Sequence, residues 1–579
     1  MDEKMTNTSE LMGGAILAET LQKLGVRDVF TLHGGHLDPF LVACPGVGIR
    51  LIDVRHEASA GHAAEAYALV KRGAIGVCVV TAGPGFTNVL TPMASAYANA
   101  VPTLFIAGAP PVSEEATNEL QGGFSQVAMA TPVSKWAHRI SLVERLPDLI
   151  EKAVRVAISG RPGPVFLEVP INVMFGRASK IFFPVEAGRP RPSRPTTNAE
   201  DAGKLLDVLA ASERPVIIGG SGAVLSAAEQ EIARFASITG VPVVTNSKAH
   251  GLLPHAHPLY VGPASTLAGL GATGQGGADV VLLAGARAGL LLGGRSGAII
   301  PRSARLLQVD IEAAEIGRID SVEVGLVADC REAFALLGAL AAERQWAPRS
   351  EWLARLSSIR AAARHSDAPA DGANGRIHPH HAAQAVLDTI GDGAIVAVDG
   401  GEMTAWCEPL NRSSTPGHYL TAGYFGTLGV GQGFAMAAAV ADPRSKVFLL
   451  TGDGALGFNL QEFDTMVRHD LPVITIVMNN ACWAMSKNAQ DLVFGENRRS
   501  AVMLNDTHYE QVAIALGGYG ERVSTVEEIA PAIARALNSG LPACINVATD
   551  PDVMHPITFG MAGADPRKGK ITMPYYQNE

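Results

Sequence analysis

The chain has few cysteines, a deficit of positive charge and no long apolar run, and each shortage excludes a class of protein. Its six cysteines are scattered without a CxxC pair, which argues against a disulfide framework or a zinc site and predicts reduced, mostly buried thiols. A formal net charge of -10 makes nucleic acid and acidic membrane surfaces poor partners. No apolar run is long enough to cross a membrane, and the acidic N-terminus lacks the order of a signal peptide. We therefore expect a soluble, cytoplasmic protein that binds small molecules.

The composition that is present is typical of a compact α/β enzyme. Of 579 residues, 47% are hydrophobic, 62 are glycine and only 18% are charged. Short β-branched runs such as "IGVCVVTAG" and "KVFLLTGDG" alternate with alanine-rich stretches of helical period. Buried parallel strands joined by crossover helices produce this alternation. The length predicts three or four domains, and the repeated pattern favours three doubly wound parallel-sheet domains.

Two breaks in the pattern suggest where these domains end. Prolines and arginines interrupt residues 183–201, and a mixed helix-and-linker stretch follows at about 343–376. The predicted domains are therefore 9–182, 196–340 and 374–550, followed by a tail at 551–579. The tail could be a lid or a frayed end. Its segment "HPITF" and its tyrosines, Tyr575 and Tyr576, favour docking on the body.

A candidate metal site lies in "TGDGALGFNLQEFDTMVRHDLPVITIVMNN", residues 451–480. Asp453 follows one apolar strand and Asn480 ends the next, and ligands gather at such strand ends in open α/β sheets. A carboxylate, an amide oxygen and a backbone carbonyl form a hard oxygen set that suits Mg²⁺ and leaves room for phosphate oxygens. The glycines beside Asp453 would let backbone amides approach those phosphates. A Gly-Asp-Gly turn alone is a weak signal, but its pairing with the double asparagine is specific.

This pairing resembles the cofactor motif of the thiamine diphosphate-dependent enzymes. The resemblance implies a fold of the pyruvate oxidase and decarboxylase type, with pyrimidine-binding, central and diphosphate-binding domains in that order. It also implies Mg²⁺ bound by Asp453, Asn480 and the main-chain oxygen of Cys482. The diphosphate would lie near Gly454 and Ala455.

The segments "RHEASAGHAAEAYA" and "GYFGTLGVGQGFAMAAA" resemble the pyrimidine side of the same family's site. Glu57 would contact N1′ of the aminopyrimidine and promote loss of the thiazolium C2 proton. Leu428 would support the bent cofactor, with the backbone of Gly426 and Leu428 against the aminopyrimidine. Because Glu57 and the metal residues lie in different domains, which meet across a subunit interface in this family, a homodimer or homotetramer with shared active sites is implied.

Within the family, the chain is most similar to benzaldehyde lyase and to the group of acetolactate synthase and 2-hydroxyacyl-CoA lyase. "FTLHGGHLDPF" and "TNELQGGFSQVAMATPVSKWAHR" carry this similarity. By position, His36 and Gln121 would face the thiazolium and relay protons to the substrate oxygen, with His33 beside them. Without that resemblance, either histidine would be interpreted as a core or capping residue.

Four positions depart from benzaldehyde lyase. Ile171, Thr404 and Ala422 stand where that enzyme has large aromatic or imidazole groups, and Met485 replaces a small residue. Benzaldehyde is therefore a doubtful substrate, and the basic, tyrosine-containing tail could cover a larger molecule such as a 2-hydroxyacyl-CoA.

The central block contains "VIIGGSGAVLS", a glycine-rich turn that some relatives use for FAD or ADP. It lacks the full GxGxxG spacing, so a structural turn is favoured, and the choice between no ligand, FAD and ADP stays open.

We predict a thiamine diphosphate- and Mg²⁺-dependent carbon-carbon lyase and carboligase. It would cleave or form 2-hydroxy ketones (acyloins) or 2-hydroxyacyl-CoA thioesters through an enamine intermediate. The alternative is a 2-oxoacid decarboxylase or condensing enzyme of the acetolactate synthase type. A catalytically silent cofactor-binding scaffold is disfavoured, because Glu57 and both side-chain metal ligands are present.

Overall fold

A computed structural model describes residues 10–186, 193–272, 276–372, 374–561, 564–565 and 570–571. The strands of this part of the chain are β1 Leu11–Met12, β2 Asp28–Thr31, β3 Arg50–Asp53, β4 Gly76–Val80, β5 Thr103–Ala109, β6 Trp136–Arg139, β7 Val165–Pro170, β8 Arg177–Ala178, β9 Pro215–Gly219, β10 Val243–Thr245, β11 Tyr260–Pro263, β12 Val280–Ala284, β13 Arg305–Asp310, β14 Val324–Val327, β15 Ile395–Asp399, β16 Tyr419–Thr421, β17 Val447–Gly452, β18 Ile474–Asn479, β19 Tyr519–Val523, β20 Ala543–Ala548, β21 Ala564–Asp565 and β22 Lys570–Ile571.

The α-helices are α1 Gly13–Lys23, α2 Asp38–Ala43, α3 Glu57–Val70, α4 Pro84–Asn99, α5 Gln126–Ala130, α6 Leu146–Ile158, α7 Ile171–Met174, α8 Ala199–Ala210, α9 Ser221–Leu225, α10 Glu229–Thr239, α11 Ala268–Ala272, α12 Cys330–Ala342, α13 Ser350–Ala363, α14 Pro379–Ile390, α15 Gly401–Cys407, α16 Val430–Ala441, α17 Asp453–Leu456, α18 Glu462–Arg468, α19 Ala484–Phe494, α20 Tyr509–Ala515, α21 Val526–Ser539 and α22 Ile557–Met561.

Two compact units divide the chain. The first comprises Met1–Pro192, Tyr424–Asp442 and Gln461–His469. Its six-stranded sheet has the order β3-β2-β4-β5-β7-β6, with every pairing parallel. The inward side chains are aliphatic and aromatic, as the continuous apolar runs predict for strands covered on both faces.

Small residues let helices approach closely in this first unit. Helix α3 is rich in alanine and glycine and is buried along most of its length, packed against α4 and α16. A Cβ on Gly433 of α16 would lie 2.8 Å from the carbonyl oxygen of Ser59, so the close approach of these helices requires glycine there. The packing fixes the N-terminal end of α3, where Glu57 lies.

The second unit comprises Ser193–Gly423, Pro443–Leu460 and Asp470–Glu579 and contains two six-stranded sheets, besides the short pair β21-β22. Their strand orders are β11-β10-β9-β12-β13-β14 and β16-β15-β17-β18-β20-β19, again with parallel pairings. Three six-stranded parallel sheets with flanking helices confirm the predicted α/β fold of three domains. The exact boundaries, 9–182, 196–340 and 374–550, stay predictions.

Two findings bear on the expectations from composition. All six cysteines are buried and unpaired, as their scattered spacing predicts. Among the described helices, none combines the length and apolar character needed to cross a membrane.

Candidate active site

The Gly-Asp-Gly turn of the second unit holds a buried carboxylate. Asp453 begins the short helix α17 directly after β17 and is 2% exposed. Its Oδ2 accepts no hydrogen bond from the described residues. Burial raises the pKa of Asp453 to about 6, although the backbone amides of Gly454, Ala481 and Cys482 act in the opposite direction. A buried, unsatisfied carboxylate oxygen is costly, and a bound cation would satisfy it.

The two asparagines lie at the same sheet edge and differ in their contacts. Strands β17 and β18 are parallel neighbours, with Gly452 opposite Met478. Asn479 is fully buried, donates to the carbonyl oxygen of Thr507 and accepts from the amide of Ala481, so it holds the loop. Asn480 is partly exposed, and its Oδ1 faces the amide and thiol of Cys482 at 3.3 Å.

These residues fit a hard cation with oxygen ligands. The described residues contain no group of three His, Cys, Asp or Glu side chains arranged for a metal. The predicted set would not form such a group, since it uses one carboxylate, one amide and one carbonyl oxygen. Tyr509, which the sequence did not single out, donates to the carbonyl oxygen of Asp453 at 3.2 Å and supports the turn.

Trp483 explains why the second glycine of the turn is glycine. A Cβ on Gly454 would lie 2.5 Å from the Trp483 ring, whereas a Cβ on Gly452 would meet nothing within 4 Å. Ala455, the next residue, is also buried. The Trp483 ring therefore fills the space that a side chain at Gly454 would need.

In the first unit, Glu57 is the first residue of α3 and is 8% exposed. Its Oε2 accepts a hydrogen bond of 2.9 Å from Nδ2 of Asn88, a partner that sequence reasoning missed. The turn before Glu57 is held by Glu462, whose carboxylate accepts the backbone amide of Arg55 at 3.1 and 3.2 Å. Burial raises the pKa of Glu462, with these hydrogen bonds opposing the shift.

The predicted pyrimidine-facing loop belongs to the same unit. Gly426 and Gly429 have φ values of 66° and 83°, in the left-handed region that favours glycine, and they flank the partly buried Leu428. The loop is anchored at Tyr424, whose amide donates to Oδ1 of Asn99 at 3.2 Å.

His36 lies against the carboxyl ends of β4 and β5, and Gln121 lies against Gly83, which follows β4. His36 is 8% exposed, and its Nδ1 is 3.3 Å from Oγ1 of Thr81. Burial lowers the pKa of His36 below its usual value of 6.5, so the imidazole is neutral at neutral pH. A Cβ on Gly108 would lie 2.7 Å from the His36 Cβ, and one on Gly83 would lie 2.9 Å from the Gln121 Cβ.

Gln121 is itself exposed and has a φ of 57°, which costs energy for a residue with a side chain. Strain of this kind persists where the surrounding structure imposes it, and it occurs often at functional sites. His33, by contrast, is exposed and pairs with Asp38 at 2.9 Å. The structure therefore places His36 against Thr81 and Gln121 against Gly83, and it gives His33 a surface contact.

The four residues expected to differ from benzaldehyde lyase lie at ends of strands or in adjoining helices. In the first unit, Ile171 begins α7 directly after β7. In the second unit, Thr404 of α15 donates to the carbonyl oxygen of Gly400 at 2.7 Å, and Ala422 follows β16. Met485 packs against α15, since a Cβ on Gly401 would lie 3.1 Å from its Cε.

Packing and hydrogen bonding explain the glycine-rich turn of the central sheet. A Cβ on Gly220 would lie 2.2 Å from the carbonyl oxygen of Gly285, and one on Gly222 would lie 3.0 Å from the same atom. The amides of Gly220 and Gly222 donate to Ala284 and Gly285. This supports the structural turn that the sequence favoured, while FAD or ADP binding stays undecided.

The tail is docked as far as it is described. Thr558 and Asn488 both donate to Oε1 of the buried Glu402, at 2.7 and 2.8 Å. Burial raises the pKa of Glu402, and these hydrogen bonds oppose the shift. Tyr575 and Tyr576, on which the lid interpretation partly rests, lie outside the described residues.

Comparisons with known proteins identify the family of the chain. Residues 11–129 match the family "Thiamine pyrophosphate enzyme, N-terminal TPP binding domain", 202–337 match its central domain, and 399–547 match its C-terminal TPP binding domain. The acetolactate synthase large subunit IlvG of Mycobacterium tuberculosis is 33% identical over 557 residues, covering 95% of this chain and 98% of its own.

Two further relatives are named 2-hydroxyacyl-CoA lyase 2. The mouse protein is 33% identical, covering 89% of this chain and 86% of its own. The Caenorhabditis elegans protein is 30% identical, covering 94% and 88%. The chain therefore belongs to the thiamine pyrophosphate (thiamine diphosphate) enzyme family.

Proposed function

We propose that the enzyme is a thiamine diphosphate- and Mg²⁺-dependent carbon-carbon lyase that also acts as a carboligase. Its substrates would be 2-hydroxy ketones or 2-hydroxyacyl-CoA thioesters. The observation that carries this proposal is that the buried His36 lies against Thr81, while Gln121 lies against Gly83, two residues further along the chain.

On the metal side, Asp453, Asn480 and the carbonyl oxygen of Cys482 would hold Mg²⁺. The unsatisfied Oδ2 of Asp453 supports this assignment, because the oxygen needs a positive partner. The amides of Gly454 and Ala455, at the start of α17, would bind diphosphate oxygens.

On the pyrimidine side, Glu57 would hold a proton at the aminopyrimidine, and the backbone of Gly426 and Leu428 would orient that ring. The burial of Glu57 and its hydrogen bond from Asn88 support this role, since both restrict the carboxylate to one orientation. When bound, thiamine diphosphate supplies a carbon nucleophile for carbonyl carbon and an acceptor for the electron pair of the broken bond.

On the substrate side, cleavage beside a hydroxyl-bearing carbon requires removal of the hydroxyl proton, and carboligation requires its return. A neutral His36 can take that proton and give it back, and the amide of Gln121 can donate a hydrogen bond to the same oxygen. His36 and Gln121 lie against Thr81, Gly83 and Gly108, none of which carries a charge.

The second candidate is a 2-oxoacid enzyme that releases CO₂ and condenses the product. The name of the acetolactate synthase relative favours it. A 2-oxoacid carries a carboxylate, for which a cationic side chain would be the natural partner. The contacts of His36 and Gln121 with Thr81, Gly83 and Gly108 include no cationic side chain, which favours the lyase.

We further propose a homodimer or homotetramer with shared active sites, in which Glu57 of one subunit would complete the site around Asp453 of another. This follows from the family resemblance, which divides the cofactor site between the pyrimidine-binding and diphosphate-binding domains.

The proposal is tested by incubating the holoenzyme separately with acyloins, 2-hydroxyacyl-CoAs and 2-oxoacids while following CO₂ and carbonyl products. We expect carbonyl products from the first two classes without CO₂, and loss of turnover in Glu57→Gln. CO₂ release from 2-oxoacids alone would overturn the lyase assignment.

The role of His36 is tested by His36→Gln, which keeps a polar side chain but removes the proton acceptor. Turnover should fall by roughly 10²- to 10⁴-fold, the usual contribution of a general acid-base group. His33→Gln is the matched control, because His33 is exposed and contacts Asp38, and its turnover should be unchanged. Equal losses in the two variants would contradict the role of His36.

A further inference from the structure

A buried amide, Gln126, joins three strand ends of the first unit. It is the first residue of α5 and is 2% exposed. Its Oε1 accepts the amide of Gly83 at 3.0 Å, and its Nε2 donates to the carbonyl oxygen of Gly108 at 2.9 Å and to Oε1 of Glu168 at 3.1 Å. The side chain therefore uses its acceptor and both donors to connect the ends of β4, β5 and β7.

The orientation of this amide is fixed by chemistry. The carbonyl oxygen of Gly108 can only accept, and the Glu168 side chain is an acceptor in its pairing with Arg139. Arg139 lies opposite Glu168 in the pairing of β6 with β7, and its Nε donates to Oε2 of Glu168 at 2.9 Å. Glu168 is 1% exposed, so this ion pair is largely shielded from water. The Nε2 of Gln126 must face these two acceptors, which leaves Oε1 for Gly83.

The two glycines that Gln126 connects are the backbone contacts of the proposed proton-transfer pair. Gly108 lies against the Cβ of His36, and Gly83 lies against the Cβ and carbonyl oxygen of Gln121. Neither glycine can carry a side chain without displacing these residues, since an added Cβ would lie only 2.7 Å from His36 or 2.9 Å from Gln121. A change in the distance between Gly83 and Gly108 would therefore move His36 relative to Gln121.

The loop that carries Gln121 is attached to the same ion pair. Glu115 of that loop accepts a hydrogen bond from Nη1 of Arg139 at 2.7 Å. Glu119 accepts the amides of Ala116 and Gly123, and these two hydrogen bonds lower the pKa of its carboxyl group. One network of hydrogen bonds and ion pairs thus connects the ends of β4, β5 and β7 with the loop that carries Gln121.

We propose that Gln126 is a positioning residue that sets the separation of His36 and Gln121, with Glu168 and Arg139 fixing the orientation of its amide. This inference rests on the proposed function of His36 and Gln121. Gln126 reaches the reacting atoms only through Gly83 and Gly108, so it affects the rate of the chemical step rather than cofactor binding.

The test compares Gln126→Met with Gln308→Met in the holoenzyme. Gln308 is a matched control in the central sheet. It is 1% exposed and also joins two backbone groups, accepting the amide of Gly317 and donating to the carbonyl oxygen of Glu315. Gln126→Met loses three hydrogen bonds and Gln308→Met loses two, so both variants should unfold at a lower temperature.

Only Gln126→Met should lower kcat, by about 10- to 100-fold, because a displacement of about 1 Å at reacting groups costs up to roughly 100-fold. KM and thiamine diphosphate affinity should change by less than about threefold, since the substrate and cofactor contacts remain. Equal kcat values for the two variants would overturn the proposal.

Amide hydrogen exchange supplies a readout that does not depend on turnover or on a folded variant. In the wild-type chain, the Gly83 amide should exchange slowly, because its hydrogen bond goes to a buried side chain. Fast exchange at Gly83 in the wild type would contradict the connection through Gln126. Gln126→Met should accelerate exchange at Gly83, and Gln308→Met should not.

The orientation of the Gln126 amide is tested by adding a carboxylate at this position and then removing the one at Glu168. Gln126→Glu places a second carboxylate against Glu168 and against the carbonyl oxygen of Gly108, so its kcat should fall further than that of Gln126→Met. Glu168→Gln in the same chain removes the repulsion between the carboxylates and should restore part of the loss. No restoration would contradict the assigned orientation.

Failure of this inference differs from failure of the proposed function. If the wild type releases CO₂ from 2-oxoacids alone, the lyase assignment is wrong, whatever the variants do. If the wild type is a lyase and Gln126→Met keeps its kcat, the positioning role is wrong and the lyase assignment stands.

Discussion

Gly454→Ala is the most informative single change in the metal-side turn, because the structure gives both the clash and its control. An alanine Cβ would lie 2.5, 2.6 and 3.0 Å from three carbons of the Trp483 ring. Contacts this short force the ring or the turn to move, and overpacking of this kind costs about 1–3 kcal/mol. For a domain of roughly 150–250 residues, the melting temperature would fall by about 2–12 °C.

Gly452→Ala is the matched control in the same Gly-Asp-Gly turn. Its Cβ meets nothing within 4 Å, and its φ of -77° suits alanine. The apoenzyme melting temperature should therefore be unchanged or slightly higher, because alanine restricts the unfolded chain. Thermal unfolding of the apoenzyme, followed by circular dichroism, measures both variants without interference from the cofactor.

The Gly454→Ala substitution in a Trp483→Leu chain separates the steric clash with the ring from other causes of lost stability. In a Trp483→Leu chain the ring is absent, so Gly454→Ala should cost much less than in the wild type, and the two substitutions should be strongly coupled. An equal cost in both backgrounds, or equal melting temperatures for Gly454→Ala and Gly452→Ala, would refute this account of the turn.

The other predictions concern the metal, the subunit arrangement and the docked tail. Loss of a residue that only supports a metal ligand weakens binding by roughly 10- to 100-fold, so Asp453→Ala, which removes a ligand, should weaken Mg²⁺-dependent thiamine diphosphate binding by more than that. Unchanged affinity in calorimetry would exclude Asp453 as a ligand. Mixing refolded Glu57→Gln and Asp453→Ala chains should restore about a quarter of wild-type turnover, because about half of the dimers are mixed and one of the two sites in each mixed dimer is intact. If each site were formed within one chain, the mixture would have no turnover. Burial, aided by His380, lowers the pKa of His555 to about 4 from 6.5. The stability that the neutral ring contributes is therefore fully present above pH 6.5 and is lost as the pH falls towards 4. Hydrogen exchange of residues 551–559 should accelerate over that pH range in the wild type, and it should accelerate less in His555→Gln.

Much of the fold was predictable because buried parallel strands leave a local signal. The runs around Val447 and Ile474 are continuously apolar and end in glycine or asparagine, so their type, order and end residues could be inferred from the sequence alone. The positions of Asp453 and Asn480 at one sheet edge were predictable for the same reason, since both directly follow neighbouring strands, and their role as metal ligands stays a prediction.

The residues that sequence reasoning missed make their contacts across long stretches of chain. Asn88 is 31 positions from Glu57, Tyr509 is 56 from Asp453, and Gln126 is 43 from Gly83. Each is an ordinary polar residue in its local sequence, and its role arises only when the sheet brings distant segments together. The distinction between His36 and His33 also required the structure, because only burial and contacts separate the two imidazoles.

The central claim is that the enzyme breaks the bond between a carbinol carbon and a carbonyl carbon without loss of CO₂. The most direct test gives the wild-type holoenzyme equal concentrations of pyruvate and of a 2-hydroxyacyl-CoA or acyloin labelled with ¹³C at both bonded carbons. We predict that both labelled carbons appear in the cleavage products, one of them as a free aldehyde or ketone, while pyruvate is not decarboxylated. Preferential release of CO₂ from pyruvate, with the labelled substrate intact, would contradict the account.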